Sequence, residues 1–299
     1  MNIGIDLGGT KIEIALVNSQ HEIIYQYREP TIRGNYADTC QQLIKLIAQV
    51  EQTHNLFSLP IGIGIPGSIA KQSGLVKNAN STWLNGQPLL ADLNRALGGR
   101  VRIANDANCF ALSEALFGNA KHAESVFGVI IGTGCGGGLV INGQLINGVN
   151  GIGGEWGHNA MPWVDDGSLV NCYCGLQNCI ETYLSGPGWL ARSQRRYGVD
   201  WVDAKAIYQD FKQGGVQAQS AFDDYVFNLA KGLASIINIF DPEVIVLGGG
   251  LGQMLELYDR VPNVWQNWVF SDQIDTKLIA PKLGDSSGVL GAAGLWPFK

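Results

Sequence analysis

Between residues 155 and 181 the chain reads EWGHNAMPWVDDGSLVNCYCGLQNCIE, which gathers Glu155, His158, Cys172, Cys174, Cys179 and Glu181 in a stretch with little periodic apolar structure. Thiolates and imidazole are the donors of closed tetrahedral zinc centres, and three cysteines with one histidine make one full set. The chain has only six cysteines in 299 residues, too few and too clustered for a secreted disulfide scaffold, so metal ligation is the better use of them. The C-x-C-x4-C spacing departs from the usual paired C-x2-C, and three reduced cysteines beside a core histidine is the competing reading. Glu155 and Glu181 are suitable acceptors for hydroxyl groups, although each taken alone reads as a solvated surface residue.

Glycine is the second signal: 40 residues, concentrated in DLGGTK, GIGIPGS, GTGCGGG, GIGGEWG and LGGGLG. Such clusters mark either turns or backbone that something approaches closely. Gly132–Gly137 satisfies G-x-G-x-x-G, yet a strand pattern rather than a helix follows, which rules out a dinucleotide fingerprint. No Walker sequence ending in Gly-Lys-Ser or Gly-Lys-Thr is present. Two Gly/Thr hairpin turns remain, at Gly8, Gly9 and Thr10 and at Gly132, Thr133 and Gly134, whose amides and hydroxyls suit a polyphosphate. Asp6, at the start of the first turn, suits a magnesium ion and its waters. Asp106, at a strand-to-helix junction, suits a base that takes a proton from a hydroxyl under phosphorylation, and equally suits a helix cap.

The elements that must position these groups follow from periodicity. Strands are expected at 2–7 and 12–17 around the GGTK turn, then a helix over 36–52, a short strand at 61–66, a strand at 101–105 and a helix from Asp106. The pattern restarts with a hairpin at 125–146. A long helix at 221–240, a buried strand at 242–250 and a helix at 252–270 broken by Pro262 complete it. The expectation is two α/β halves, each opening on a glycine-turned hairpin: residues 1–117, and residues 118–287 with the metal loop. The segment from about 288 to 299 is free to pack back on the first half. Twenty basic and 26 acidic residues, a net charge of -6 without runs, exclude the basic stripe of a nucleic-acid binder. No apolar run reaches membrane-spanning length, so no membrane partner and a soluble, cytoplasmic protein are expected.

In order along the chain, DLGGTK, GIGIPG, NDAN, GTGCGGG, GEWGH, CYCGLQNCIE and VLGGG resemble the ROK family (repressors, open reading frames, kinases), within the actin, Hsp70 and hexokinase superfamily. The resemblance covers essentially the whole chain. It implies a two-domain, ribonuclease H-like α/β fold with a cleft between duplicated domains, and an ATP-dependent sugar kinase using Mg²⁺ and a structural Zn²⁺. Carried over residue by residue, it implies Asp106 as general base and Gly67, Asn80, Asn105, Asp106, Glu155, His158 and Glu181 on the sugar. It implies Asp6, Gly8, Gly9, Thr10, Lys11, Gly132, Thr133, Gly134, Gly248, Gly249 and Gly250 on ATP, with Asp6 on magnesium, through water. Zinc falls to His158, Cys172, Cys174 and Cys179, with the second imidazole nitrogen of His158 toward the sugar. One departure stands in the metal loop, where the family usually has glycine and this chain has Asn178; asparagine tolerates left-handed backbone, so the loop is expected to survive. Trp83 reads as core packing or as a wall of the sugar site. VKNANSTWLNGQP with GEWGHN most resembles fructokinases acting on the 6-hydroxyl of D-fructose. N-acetyl-D-glucosamine kinase is the alternative, with glucokinase and N-acetylmannosamine kinase beside it. A non-catalytic, sugar-sensing regulator is the alternative of another class, and family practice leaves a homodimer open.

Overall fold

The computed structural model describes residues 1–298 apart from 165, 166 and 168; Lys299, the last residue of the expected C-terminal segment, lies outside the described residues. The chain forms two compact units. The first comprises Met1–His122, Gly138–Gly154 and Lys282–Lys299, and the second Ala123–Gly137 and Glu155–Pro281.

In the first unit, β1 (Asn2–Leu7), β2 (Lys11–Val17) and β3 (Ile23–Pro30) form an antiparallel meander. Helix α1 (Tyr36–His54) then crosses to β4 (Ile61–Ile65), parallel to β1. Its start is fixed by Asn35, whose side chain accepts from the amides of Ala37 and Asp38, and its end by Asn55 in left-handed geometry. A two-stranded ribbon of β5 (Ser68–Ile69) and β6 (Val76–Lys77) follows, then α2 (Leu89–Leu97), β7 (Val101–Asn105) and α3 (Asp106–Leu116). The sheet order is β3-β2-β1-β4-β7.

The remaining elements are β8 (Ser125–Ile131), β9 (Cys135–Ile141), β10 (Gln144–Leu145), α4 (Glu181–Leu184), α5 (Gly186–Tyr197), α6 (Ala204–Lys212) and α7 (Val216–Phe240). After them come β11 (Val244–Gly248), α8 (Glu256–Arg260), α9 (Pro262–Trp265), β12 (Lys277–Ile279) and α10 (Ser287–Ala293). The order β10-β9-β8-β11-β12 repeats the antiparallel-then-parallel pattern of the first sheet. Pro262 does interrupt the helix expected over 252–270, by starting α9, where its missing N–H costs nothing. Strand β3 and helices α2, α5 and α6 lie outside the expected elements, although α2 buries Leu89 and Leu93, and α6 buries Ala204, Ile207 and Phe211, at helical spacing. A division near Gly118 with only the C-terminal segment returning also omits Gly138–Gly154. That segment joins the first unit because Gly138 lies on α3, where a Cβ would stand 2.8 Å from the Ala111 Cβ.

The two faces of the first sheet are built differently. Ile3, Ile5, Leu7, Ile12, Ile14, Leu16, Ile61, Ile63 and Ile65 pack with Leu43, Leu46 and Ile47 of α1 in one fully buried cluster. On the other face the alternating positions are Gly4 and Gly62, and α10 lies on them with its backbone. A Cβ on Gly4 would stand 2.0 Å from the Val289 carbonyl oxygen, and one on Gly62 1.7 Å from that of Ala292. Gly291 of α10 is equally tight against α3, 1.8 Å from the Cys109 carbonyl oxygen by the same measure. The glycines of IGIGIP thus serve helix packing. Entry of the chain into α10 is fixed by Glu114, 0 % exposed, whose carboxylate accepts from the amides of Asn119, Lys282 and Leu283 at 3.0–3.1 Å. Gly62→Ala is expected to destabilise the protein by about 3 kcal/mol or more, since backbone rather than a flexible side chain must yield; urea unfolding with a loss under about 1 kcal/mol would contradict this packing.

Candidate functional site

In the first unit, β1 carries Asp6 up to the turn Gly8–Lys11. The turn closes through Gly8 N–H to the Lys11 carbonyl at 2.9 Å and is braced by Thr31, whose hydroxyl donates to the Gly8 carbonyl at 2.8 Å and whose amide donates to that of Thr10 at 3.0 Å. Ser81, 2 % exposed, lies against this turn, its Oγ 3.2 Å from where a Gly9 Cβ would be. Asp6 is pushed up to about 6, by burial first, then by the charges of Asp106 and Glu13, against the opposing pull of Lys11 and Arg28. Three carboxylates thus share one field, which is the electrostatic setting that favours a bound cation.

Asp106 is the first residue of α3, and the cap is its neighbour: the Asn105 side chain accepts from Ala107 N–H at 2.9 Å, which the Asp106 carboxylate also receives at 2.8 Å. The positive end of the α3 dipole lies at this carboxylate. Asn105 donates its amide to the Gly67 carbonyl at 3.2 Å, so the residue expected on a sugar hydroxyl is tied into the protein at both ends. Gly67 has no room for a side chain, with the Lys77 carbonyl oxygen 2.8 Å and Ala79 Cα 2.9 Å from its Cβ position. Asn80 N–H donates to the Pro66 carbonyl at 3.1 Å, while Asn85 clamps Ala79 by two hydrogen bonds at 2.8 and 2.9 Å. The structure therefore joins Gly67, Asn80 and Asn105 in one local network. Trp83 is core packing: its ring lies against the first-unit cluster and its indole N–H donates to Thr39 Oγ at 3.1 Å.

In the second unit, the turn Gly132–Gly134 closes by Gly132 N–H to the Gly134 carbonyl at 3.0 Å. The turn after β11 runs beside it. Gly249 holds φ +81°, and a Cβ there would be 2.2 Å from the Ile131 carbonyl oxygen, while Gly250 N lies 3.9 Å from the Gly132 Cβ position. Gly248 ends β11. The two glycine turns expected on ATP in this unit are therefore neighbours. Glu181 also reaches this turn, accepting from Cys135 N–H at 2.9 Å, and the same Oε2 would stand 2.7 Å from a Cβ on Gly134.

The EWGH segment is anchored by its middle. Trp156 is buried edge-on to Phe127 and donates to the Gly136 carbonyl at 2.9 Å, and Gly157 lies where a Cβ would be 2.1 Å from the Cys135 carbonyl oxygen. Glu155 is exposed and His158 half-buried on either side of that anchor. The His158 donor atom and the Cys172, Cys174 and Cys179 sulfurs all lie within 4.8 Å of one another. Cys174 Sγ is 3.6 Å from Cys179 Sγ, and Cys172 Sγ 3.7 Å from His158 Nδ1. Zinc–sulfur bonds of about 2.3 Å in a tetrahedron require edges of about 3.8 Å, so donor set and spacing both fit that ion. The loop is held by Asn178, at φ +53°, whose side chain accepts from Val170 N–H at 2.8 Å. The Cys174 thiol is lowered, first by a backbone hydrogen bond from Leu176.

One group was not anticipated from sequence. Tyr173, between two of the cysteines, hydrogen-bonds His158 Nε2 through its hydroxyl at 3.0 Å, occupying the nitrogen expected to face a sugar. Its phenol is pushed up to about 12, by desolvation first and then by Glu181, Cys172 and Glu155. A hydroxyl-bearing residue flanked by metal ligands was the available signal.

The ROK family model matches residues 2–299. The chain belongs to the ROK family. The N-acetyl-D-glucosamine kinase of Pectobacterium atrosepticum is 38% identical over 299 residues, 98% of each chain. Among solved structures, the ROK hexokinase of Thermus thermophilus has a TM-score of 0.87 at 28% identity, covering 98% of this chain and 97% of that one. The ROK glucokinase of Streptomyces griseus, in complex with glucose and AMPPNP, has a TM-score of 0.76 at 27% identity, covering 98% of both. The α/β fold is that of these ROK sugar kinases. Among the described residues no helix is long and apolar enough to cross a membrane.

The Asp6 environment of this ROK chain has a measurable consequence. Its native pKa lies above the unfolded value, so the native state holds more protons between about pH 4 and 6, and stability falls as pH rises through that window. The penalty is complete above it, on the order of 3 kcal/mol at most. Asp6→Asn should therefore match the wild type near pH 4 and exceed it in thermal stability at pH 7 without ligands; a variant less stable at both would refute the field described.

Proposed function

We propose that this ROK chain is an ATP-dependent kinase that phosphorylates a hydroxyl of N-acetyl-D-glucosamine. The 38% identity over 98% of the chain to a kinase of that sugar carries the choice of substrate. It displaces fructose as the leading acceptor, because hexoses are told apart by a few hydroxyl contacts that short motifs such as VKNANSTWLNGQP do not determine.

In this reading Asp106 is the general base. It accepts the proton of the sugar hydroxyl as the phosphoryl group arrives, and its fixed place at the α3 N-terminus, beside the Asn105 cap, supports that role. In the first unit Gly67, Asn80 and Asn105 serve the sugar; in the second Glu155, His158 and Glu181 do. The network through Gly67, Asn80 and Asn105 supports a positioning role, since a reacting hydroxyl held by groups that cannot move lowers the cost of reaching the transition state. Asp6, Gly8, Gly9, Thr10 and Lys11 serve the nucleotide phosphates in one unit, and Gly132, Thr133, Gly134, Gly248, Gly249 and Gly250 serve ATP in the other. The close backbone at these turns offers amides unobstructed by side chains.

Two metals accompany the reading. Asp6 would hold magnesium, through water, and the ion would neutralise phosphate charge; the raised carboxylate beside Asp106 and Glu13 supports a cation there. His158, Cys172, Cys174 and Cys179 would hold structural zinc, which fixes the imidazole and the loop leading to Glu181.

ADP release with Mg-ATP across fructose, glucose, mannose, N-acetylglucosamine and N-acetylmannosamine tests the substrate: N-acetylglucosamine should give the highest kcat/KM, and dominance of fructose would overturn the choice. Asp106→Asn should lower kcat by about 10²–10⁴ while sugar binding by calorimetry stays within about threefold. Equal loss of both would remove Asp106 as the base.

A further inference from the structure

His158 has two ring nitrogens with different duties. Nδ1 faces the sulfur cluster, 3.7 Å from Cys172 Sγ, so its lone pair belongs to the cation that cluster fits. The ring proton is then on Nε2, which donates to the Tyr173 hydroxyl oxygen at 3.0 Å. The rings meet edge to face, at 90° and 5.2 Å between centroids. Among the described residues this is the one hydrogen bond of the phenol, and Tyr173 is 80% exposed. The tyrosine backbone is pinned on both sides by Cys172 and Cys174, so its side chain can turn away without moving a metal ligand. A phenol oxygen and a sugar hydroxyl oxygen are the same kind of acceptor for an imidazole N–H. Glu181 and Glu155, the carboxylates assigned to sugar hydroxyls, act on this same phenol.

We propose that Tyr173 is an exchangeable partner of His158: its hydroxyl holds the imidazole while no sugar is bound, and yields Nε2–H to a hydroxyl of the acceptor when sugar arrives. The inference rests on the kinase reading, in which His158 faces the sugar. Tyr173 is a positioning residue, acting through His158. It keeps the ring aimed at the metal in the empty protein, and the incoming hydroxyl takes over that task. Two consequences differ from those of a fixed structural bond. Loss of the phenol weakens metal retention only in the sugar-free state, and sugar binds more tightly once no phenol has to be displaced.

The test is zinc release from the zinc-loaded full chain to a chromogenic chelator, with wild type and Tyr173→Phe, each with and without saturating N-acetylglucosamine. Without sugar, Tyr173→Phe should release zinc about tenfold faster or more, the usual scale for removing a partner of a metal-bound histidine. With sugar the two rates should agree within about twofold. Calorimetry should show N-acetylglucosamine binding severalfold tighter to the variant. A difference in release that persists with sugar, or sugar binding weakened by the substitution, makes the bond permanent and overturns the exchange; equal release without sugar removes Tyr173 from holding the ring. Failure of the parent reading is seen separately, in wild type alone: neither ADP release with, nor calorimetric binding of, any sugar of the panel, in which case the exchange falls with it.

Discussion

Everything in the first unit depends on how closely α10 can lie on the sheet. The helix makes its contact through backbone, and only glycine at positions 4 and 62 leaves the necessary space. The same close contact brings Gly288 to 2.7 Å from Asp6 Oδ2, measured from its Cβ position, and Gly291 against Cys109 of α3. Asp6 stands next to the end of its strand, under the first turn of α10, and Asp106 begins the helix that α10 holds down. The distance between helix and sheet therefore sets where both carboxylates stand, and with it the burial, first, and the shared field, second, that raise Asp6.

The second unit uses the same device at smaller scale. Gly157 and Gly249 each lie where a side chain would strike a carbonyl, of Cys135 and Ile131, at the two ends of the Gly132–Gly134 turn. Trp156 supplies the hydrophobic weight that keeps the EWGH segment down, and burying so large a ring is worth several kcal/mol. Rigid glycine contacts fix the distance and one aromatic anchor fixes the orientation, leaving Glu155 exposed on one side and His158 turned to the cysteine cluster on the other.

What could be read from sequence follows this division. Groups whose chemistry is intrinsic were legible: the Cys/His set, the two hairpin turns, the left-handed Asn178. Residues whose role depends on distant neighbours were not. Glu181 reads as an acceptor for ligand hydroxyls, yet one oxygen already serves the amide of Cys135, far away in sequence. Asp106 and Asn105 were read as base or cap and as sugar ligand, and it is Asn105 that caps. The glycines of IGIGIP read as a site of close approach, and they are one, but what approaches is a helix in each case: α10 at Gly62 and Cys109 of α3 at Gly64. A sequence pattern reports that space is needed and says nothing of what fills it; the packing of α10 on β1 and β4 supplies that.

That arrangement also orders events during synthesis. The meander and α1 emerge early, but α10, which covers the glycine face of β1 and β4, is translated only after the whole of the second unit. The first unit thus cannot be completed while the chain is still being made, and its sheet waits with one face open. The open face is built mainly from Gly4, Ala15, Val17 and Gly62, with Ile23 of β3 beside them, rather than from the run of isoleucines that fills the other face. The composition that permits a close helix also leaves the waiting sheet with little apolar surface to offer a wrong partner.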